Sequence, residues 1–96
     1  MELKQEIISA YNDYVTSKGV IPNIANVKIK WNDEDKPCDL IQEICLDDYE
    51  EDKPTNVKDE DILYYCSSVN GLLELTHEDN GSDFIIVEFI SFDFNL

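Results

Sequence analysis

Phe84-Ile85-Ile86-Val87-Glu88-Phe89-Ile90-Ser91-Phe92-Asp93-Phe94 is the most apolar run of the chain, and the fold is read outward from it. Its β-branched and aromatic content predicts a strand. Ile85, Val87 and Phe89 alternate in one phase, whereas Ile90, Phe92 and Phe94 alternate in the other. A regular strand sends successive side chains to opposite faces, so one alternation cannot serve both sets. A β-bulge near Phe89 and Ile90, or burial on both faces, accounts for the change of phase.

A strand needs partners, and three segments supply them. Ala25 to Trp31 sets Val27, Ile29 and Trp31 against Asn26, Lys28 and Lys30, the pattern of a half-buried strand. Asn32 to Pro37 is a polar turn compatible with a wide hairpin. Asp39 to Leu46 fits a helix face or a strand. Its short length and its isoleucines favour a strand, with Leu40, Ile44 and Leu46 on one face and Gln42 as an exception. Ile62 to Cys66 reads as a further short strand.

Two helices complete the set. Glu2 to Lys18 repeats Leu3, Ile7, Ala10, Tyr11, Tyr14 and Val15 at three-and-four spacing. Glu2 and Glu6 in the first turns and Lys18 in the last suit the helix dipole. Gly19, followed by Val20 and Pro22, supplies the stop. Ser67 or Ser68 can cap a second helix over Val69 to His77, with Val69, Leu72, Leu73 and Thr76 on its packed face. Gly71 within it costs about 1 kcal/mol relative to alanine, so this helix depends on packing. Asn80-Gly81 marks the turn before the last strand. The order α-β-β-β-α-β predicts a small α+β domain over residues 1–96, with a three- to four-stranded mixed or antiparallel sheet.

The charge is as informative as the pattern. The 96 residues carry 22 acids against seven lysines and no arginine, a formal net charge of −15. Residues 31–61 hold thirteen of the acids and three of the lysines, hence −10 of that charge. Disorder is not expected, because the chain is 43% hydrophobic and 10% aromatic. Such a field repels phosphate and anionic lipid, so direct nucleic-acid or membrane-surface binding is not expected. Without arginine, bidentate recognition of phosphate is excluded. The N-terminal residues lack the pattern of a signal peptide, and no apolar run approaches the roughly 20 residues of a membrane span. Cys38, Cys45 and Cys66 show no CxxC spacing and read as reduced thiols packed as small hydrophobes, which suits the cytoplasm.

Catalytic chemistry finds little support. His77 is the only histidine, and Cys66, Ser67 and Ser68 lie outside any nucleophile-elbow context. Carboxylate pairs abound, but their number alone says nothing about a defined separation in a cleft. Asp48, Glu50, Asp52 and Asp59 match positions 1, 3, 5 and 12 of a calcium loop. Lys53 stands where that loop requires glycine, followed by Pro54, so the match fails. Phosphate-cradling glycine motifs are absent. Neither an enzyme nor a cofactor or metal site is therefore expected.

The acidic region carries the functional expectation. Its carboxylates can simply solvate an outer face. Alternatively, they face a basic partner such as a nuclease or another nucleic-acid-handling protein, which the chain inhibits as a nucleic-acid mimic of the anti-defence (phage or mobile-element) or immunity type. The residues expected to do so are Asp47, Asp48, Tyr49, Glu50, Glu51, Asp52, Asp59, Glu60 and Asp61, with Tyr64 and Tyr65 as further anchors. The rival expectation is a structural or assembly subunit that pairs through its C-terminal strand, with Phe92 and Phe94 at the interface. Sequence leaves the oligomeric state open.

Overall fold

The computed structural model describes residues 2–46, 57–66 and 68–95. In it, helix α1 (Leu3–Lys18) precedes strands β1 (Ile24–Trp31) and β2 (Gln42–Cys45). A 3-10 turn at Asp59–Asp61 leads into β3 (Ile62–Tyr65), followed by helix α2 (Val69–Glu74) and strand β4 (Phe84–Asp93). The sheet is mixed, in the order β3-β2-β1-β4. β1 lies antiparallel to both β2 and β4, and β2 lies parallel to β3. The chain is thus an α+β domain with the expected order of elements.

The phase conflict in β4 is resolved by two bulges. The register pairs Ile29 with Ile86 and Lys28 with Glu88, then Val27 with Phe89 and Asn26 with Ser91. Val87 and Ile90 are the extra residues, and both are exposed. Each bulge resets the alternation, so Phe84, Ile86, Phe89 and Phe92 all reach the same core. The first phase read from sequence, through Ile85 and Val87, is corrected accordingly: Phe84 and Ile86 point inward instead. All four residues at the start of β4 are apolar, so the choice rests on pairing with β1, whose Ala25, Val27 and Ile29 face the same core.

Both helices cover this inner face. Ile7 of α1 and Leu72 and Leu73 of α2 are buried in the core. Leu3, Ile8, Ala10, Tyr11 and Tyr14 pack around it, and Tyr11 meets Phe92 edge-to-face at 5.7 Å. Gly19 ends α1 in the left-handed conformation (φ 73°), and its N–H donates to Val15 O at 2.9 Å. A Cβ on Gly71 would stand 3.3 Å from the Cys66 Cβ, so glycine lets α2 settle close to the end of β3.

Two boundaries differ from the sequence reading. The second helix ends at Glu74, not at His77. Beyond it, Thr76 and His77 donate to the carbonyls three residues back, and the Asn80 side chain takes up the carbonyls of Leu75 and His77. Ser68 holds the cap position in extended geometry, but its hydroxyl makes no capping bond. The second strand begins at Gln42 rather than Asp39. β2 pairs with β1 only over Ile24–Val27, so Leu40 and Ile41 find no layer to pack on and are 72% and 52% exposed.

The outer face holds a smaller cluster of Ile24, Cys45 and Val57, with Ile62 and Tyr65 against it. The expected long acidic connection lies mostly outside the described residues, but its Val57 packs on this outer face. In urea unfolding, Ile86→Ala is expected to cost about 2–5 kcal/mol, whereas Val87→Ala should stay within about 0.5 kcal/mol. Equal losses at the two positions would contradict the bulged register.

Candidate functional site

The topology gathers the acidic connections. β1 ends where β4 begins, and the antiparallel β2 and its parallel neighbour β3 both start towards that end. Two segments therefore meet there, residues 32–41 and 75–83, whereas Asp61 of the turn at Asp59–Asp61 lies within the field of Glu43 on the outer face. The two segments present seven exposed carboxylates: Asp33, Glu34, Asp35, Asp39, Glu78, Asp79 and Asp83. Lys36 lies in the first of these segments, and Lys30 lines a hollow with Asn32 and Glu78 at the same end.

Hydrogen bonds fix this end. The Asn32 N–H donates to Asp83 O at 2.9 Å and its Nδ2 to Ser82 O at 2.8 Å, which joins the two segments. Asn80 Nδ2 donates to His77 O at 2.9 Å and Phe84 O at 3.0 Å, while its Oδ1 accepts from the Ser82 N–H at 2.8 Å. The Glu34 N–H donates to Trp31 O at 3.0 Å, and Cys38 N–H to Ile29 O at 2.8 Å. The acids are thus carried on backbone that asparagine side chains and main-chain bonds hold in place.

Beside them lies an aromatic groove. Trp31 stands edge-to-face on Phe84 at 5.6 Å and 73°, and Tyr64 does so at 5.7 Å and 79°. These three rings, with Leu63, Ser82 and Asp83, line a hollow of about 320 Å³. Trp31, Asn32, Asp33 and Asp83 line an adjoining one. At the opposite end of the sheet a hollow of about 380 Å³ is lined by Tyr11, Ile21, Pro22, Leu46, Val69 and Phe94 together with the polar Asn23 and Ser68.

The outer face adds one perturbed acid. Glu43 of β2 sits opposite Asn26, whose Nδ2 donates to Asp93 Oδ2 at 2.6 Å and to Ser91 Oγ at 3.1 Å. Burial pushes the Glu43 carboxyl above its ordinary range, and the charges of Asp61 and Asp93 push it the same way. Its Oε2 is buried with no hydrogen-bond partner among the described residues. No group of three or more His, Cys, Asp or Glu among those residues is placed to hold a metal ion.

The residues expected from sequence fall into two groups. Asp47, Asp48, Tyr49, Glu50, Glu51 and Asp52 lie outside the described residues. Glu60 and Asp61 are exposed in the turn before β3, and Asp59 belongs to the same turn. Of the two further tyrosines, Tyr64 walls the aromatic groove, whereas Tyr65 packs on the outer-face cluster. Sequence reasoning did not single out Glu78, Asp79, Asp83, Trp31 or Phe84. The acidic residues around Asn80-Gly81 are visible in the sequence, but their meeting with Asp33 is not. Phe92 is buried in the core and Phe94 is exposed. No helix among the described residues is long and apolar enough to cross a membrane. No family model, no curated protein and no solved structure matches the chain.

The raised Glu43 carboxyl has a definite consequence for stability. The folded state holds this proton more tightly than the unfolded chain, so the stabilisation is present at low pH and is lost as pH rises through the raised value. Glu43→Gln is therefore expected to raise the thermal midpoint at pH 7, with the gain vanishing near about pH 4, the ordinary carboxylate range. Asp79→Asn, on an exposed loop, is the control. Equal, pH-independent gains from both variants would rule out a special role for Glu43.

Proposed function

We propose that the protein is a non-catalytic acidic binding protein that inhibits a basic nucleic-acid-handling partner by occupying its nucleic-acid site. The observation that carries this reading is the convergence of seven exposed carboxylates from two connections on one end of the sheet. Duplex nucleic acid presents about one negative charge per 1.7 Å of axis, so a basic groove built for it also attracts a dense carboxylate surface. Complementary potential speeds encounter and selects the partner, and aromatic or apolar contacts set the lifetime of the complex. Asp47, Asp48, Glu50, Glu51 and Asp52 add further charge from the same chain. An anti-defence protein of a mobile element and an immunity protein against a nuclease both match this chemistry, and both act in the cytoplasm.

Capture of partners on the immobilised protein at low salt, followed by high-salt elution, tests the reading. The eluted partner is expected to be basic and to be displaced by nucleic acid. Its affinity should fall by about tenfold or more between ~50 and ~300 mM salt. Charge reversal at Asp33, Asp35, Asp79 and Asp83 should lower the association rate by about tenfold. The same reversal at Asp47, Asp48, Glu50, Glu51 and Asp52 shows which patch dominates. Affinity that does not change with salt would sink the proposal.

The assembly reading draws on one observation: β4 is a sheet edge, and Val87, Ile90 and Phe94 are exposed on or beside it. The bulges at Val87 and Ile90 count against it, because they interrupt the regular row of donors and acceptors that a second strand requires. Sedimentation over a wide concentration range is expected to give a monomer. A stable dimer that Ile90→Lys dissolves would favour assembly instead.

A further inference from the structure

The aromatic groove at the acidic end has the make-up of a receptor for one kind of side chain. Phe84 is buried and lies at its base, while Trp31 and the 41% exposed Tyr64 are set steeply against it as walls. Asp83 is exposed on its lining, and Asp33 flanks the adjoining hollow that shares Trp31 and Asp83. An apolar ligand would gain from the rings but would meet carboxylates at the rim. A carboxylate or phosphate would be repelled by both. A planar cation suits both elements, because it stacks on aromatic faces and forms paired hydrogen bonds with a carboxylate. Lys30 does not fill this role: its Nζ lies 3.5 Å from Trp31 O, and its side chain lines a separate hollow with Asn32, Glu78, Ile85 and Val87.

The geometry points to an arginine-binding groove, in which a guanidinium from the basic partner lies between Trp31 and Tyr64 and pairs with the Asp83 carboxylate. This assignment rests on the acidic-binding reading and sharpens it, from a diffuse field to one anchoring contact. A compact ammonium fits less well, since it lacks the planar face and the forked donors. The occupant is therefore arginine rather than lysine.

Trp31 is the only tryptophan of the chain, so its fluorescence reports occupancy directly. The full chain is titrated at constant ionic strength with N-acetyl-arginine amide, with the corresponding lysine amide, and with the neutral isostere N-acetyl-citrulline amide. The arginine probe is expected to change Trp31 emission saturably, the lysine probe to need a higher concentration, and the citrulline probe to have no effect. Tyr64→Leu and Asp83→Asn should each raise the half-saturating arginine concentration by about three- to fivefold. Tyr64→Phe, which keeps the ring, and Asp39→Asn, outside the groove, should leave it unchanged. Circular dichroism matching the parent shows that each variant is folded.

An equal response to citrulline or lysine overturns the proposal, as does an unchanged response in both Tyr64→Leu and Asp83→Asn. The two readings fail separately. Salt-sensitive capture of a basic partner without an arginine-specific Trp31 response removes the groove and leaves the acidic surface. Loss of salt-sensitive capture removes the surface reading itself.

Discussion

The pairing of β1 with β4 is the constraint on which the rest of the molecule depends. It joins residues about 60 positions apart in sequence and runs the whole length of β1, from Ile24↔Asp93 to Trp31↔Phe84. A ladder of that length without irregularity would send half of the apolar β4 residues to the outer face. The bulges at Val87 and Ile90 instead turn Phe84, Ile86, Phe89 and Phe92 towards the helices, where α1 and α2 cover them. The same two residues spoil the free edge of β4 as a template for another strand. One local device thus fills the core and protects the sheet edge.

A chain with a net charge of −15 works against its own compaction, and the fold limits the penalty by position. The buried residues of the described structure include no charged side chain. The carboxylates beside the end of β1 sit on exposed connections, where water screens them. Glu43 is the exception, half-buried on a central strand within the field of Asp61 and Asp93. Its neighbour Asn26 binds Asp93 rather than Glu43, so the strain falls on one carboxyl.

Sequence pattern reveals the elements that are local and loses those that are not. α1 is legible because its apolar spacing and the Gly19-Val20-Ile21-Pro22 stop are both written within one segment. β1 is legible because its two faces differ in polarity. β4 is legible as a strand but not in its phase, since Phe84, Ile85, Ile86 and Val87 are all apolar and only β1 distinguishes them. Leu40 and Ile41 read as core residues because an apolar residue carries no mark of having nothing to pack against. The acidic character of the candidate site is plain in composition. Its assembly is not: Asp33 and Asp83 become neighbours only because the long-range pairing of β1 with β4 brings them together, while Asp61 reaches the outer face beside Glu43 through the parallel pair β2 and β3.

That parallel pair also changes the meaning of the long acidic connection. Antiparallel neighbours can be joined by a tight turn, but parallel neighbours need a crossover of a dozen or more residues. The chain between Cys45 and Ile62 spans 16 residues, which is what the return from one end of β2 to the start of β3 requires. Its length therefore follows from topology and is no sign of function by itself. Its composition is a separate matter, since a crossover can be built from any polar residues, and half of the residues in this one are acids. The same bias appears in two other connections that no crossover dictates, residues 32–41 and 75–83. Three independent segments with one sign of charge, two of them meeting at the rim of an aromatic groove, make a stronger argument for a working surface than the single dense run does.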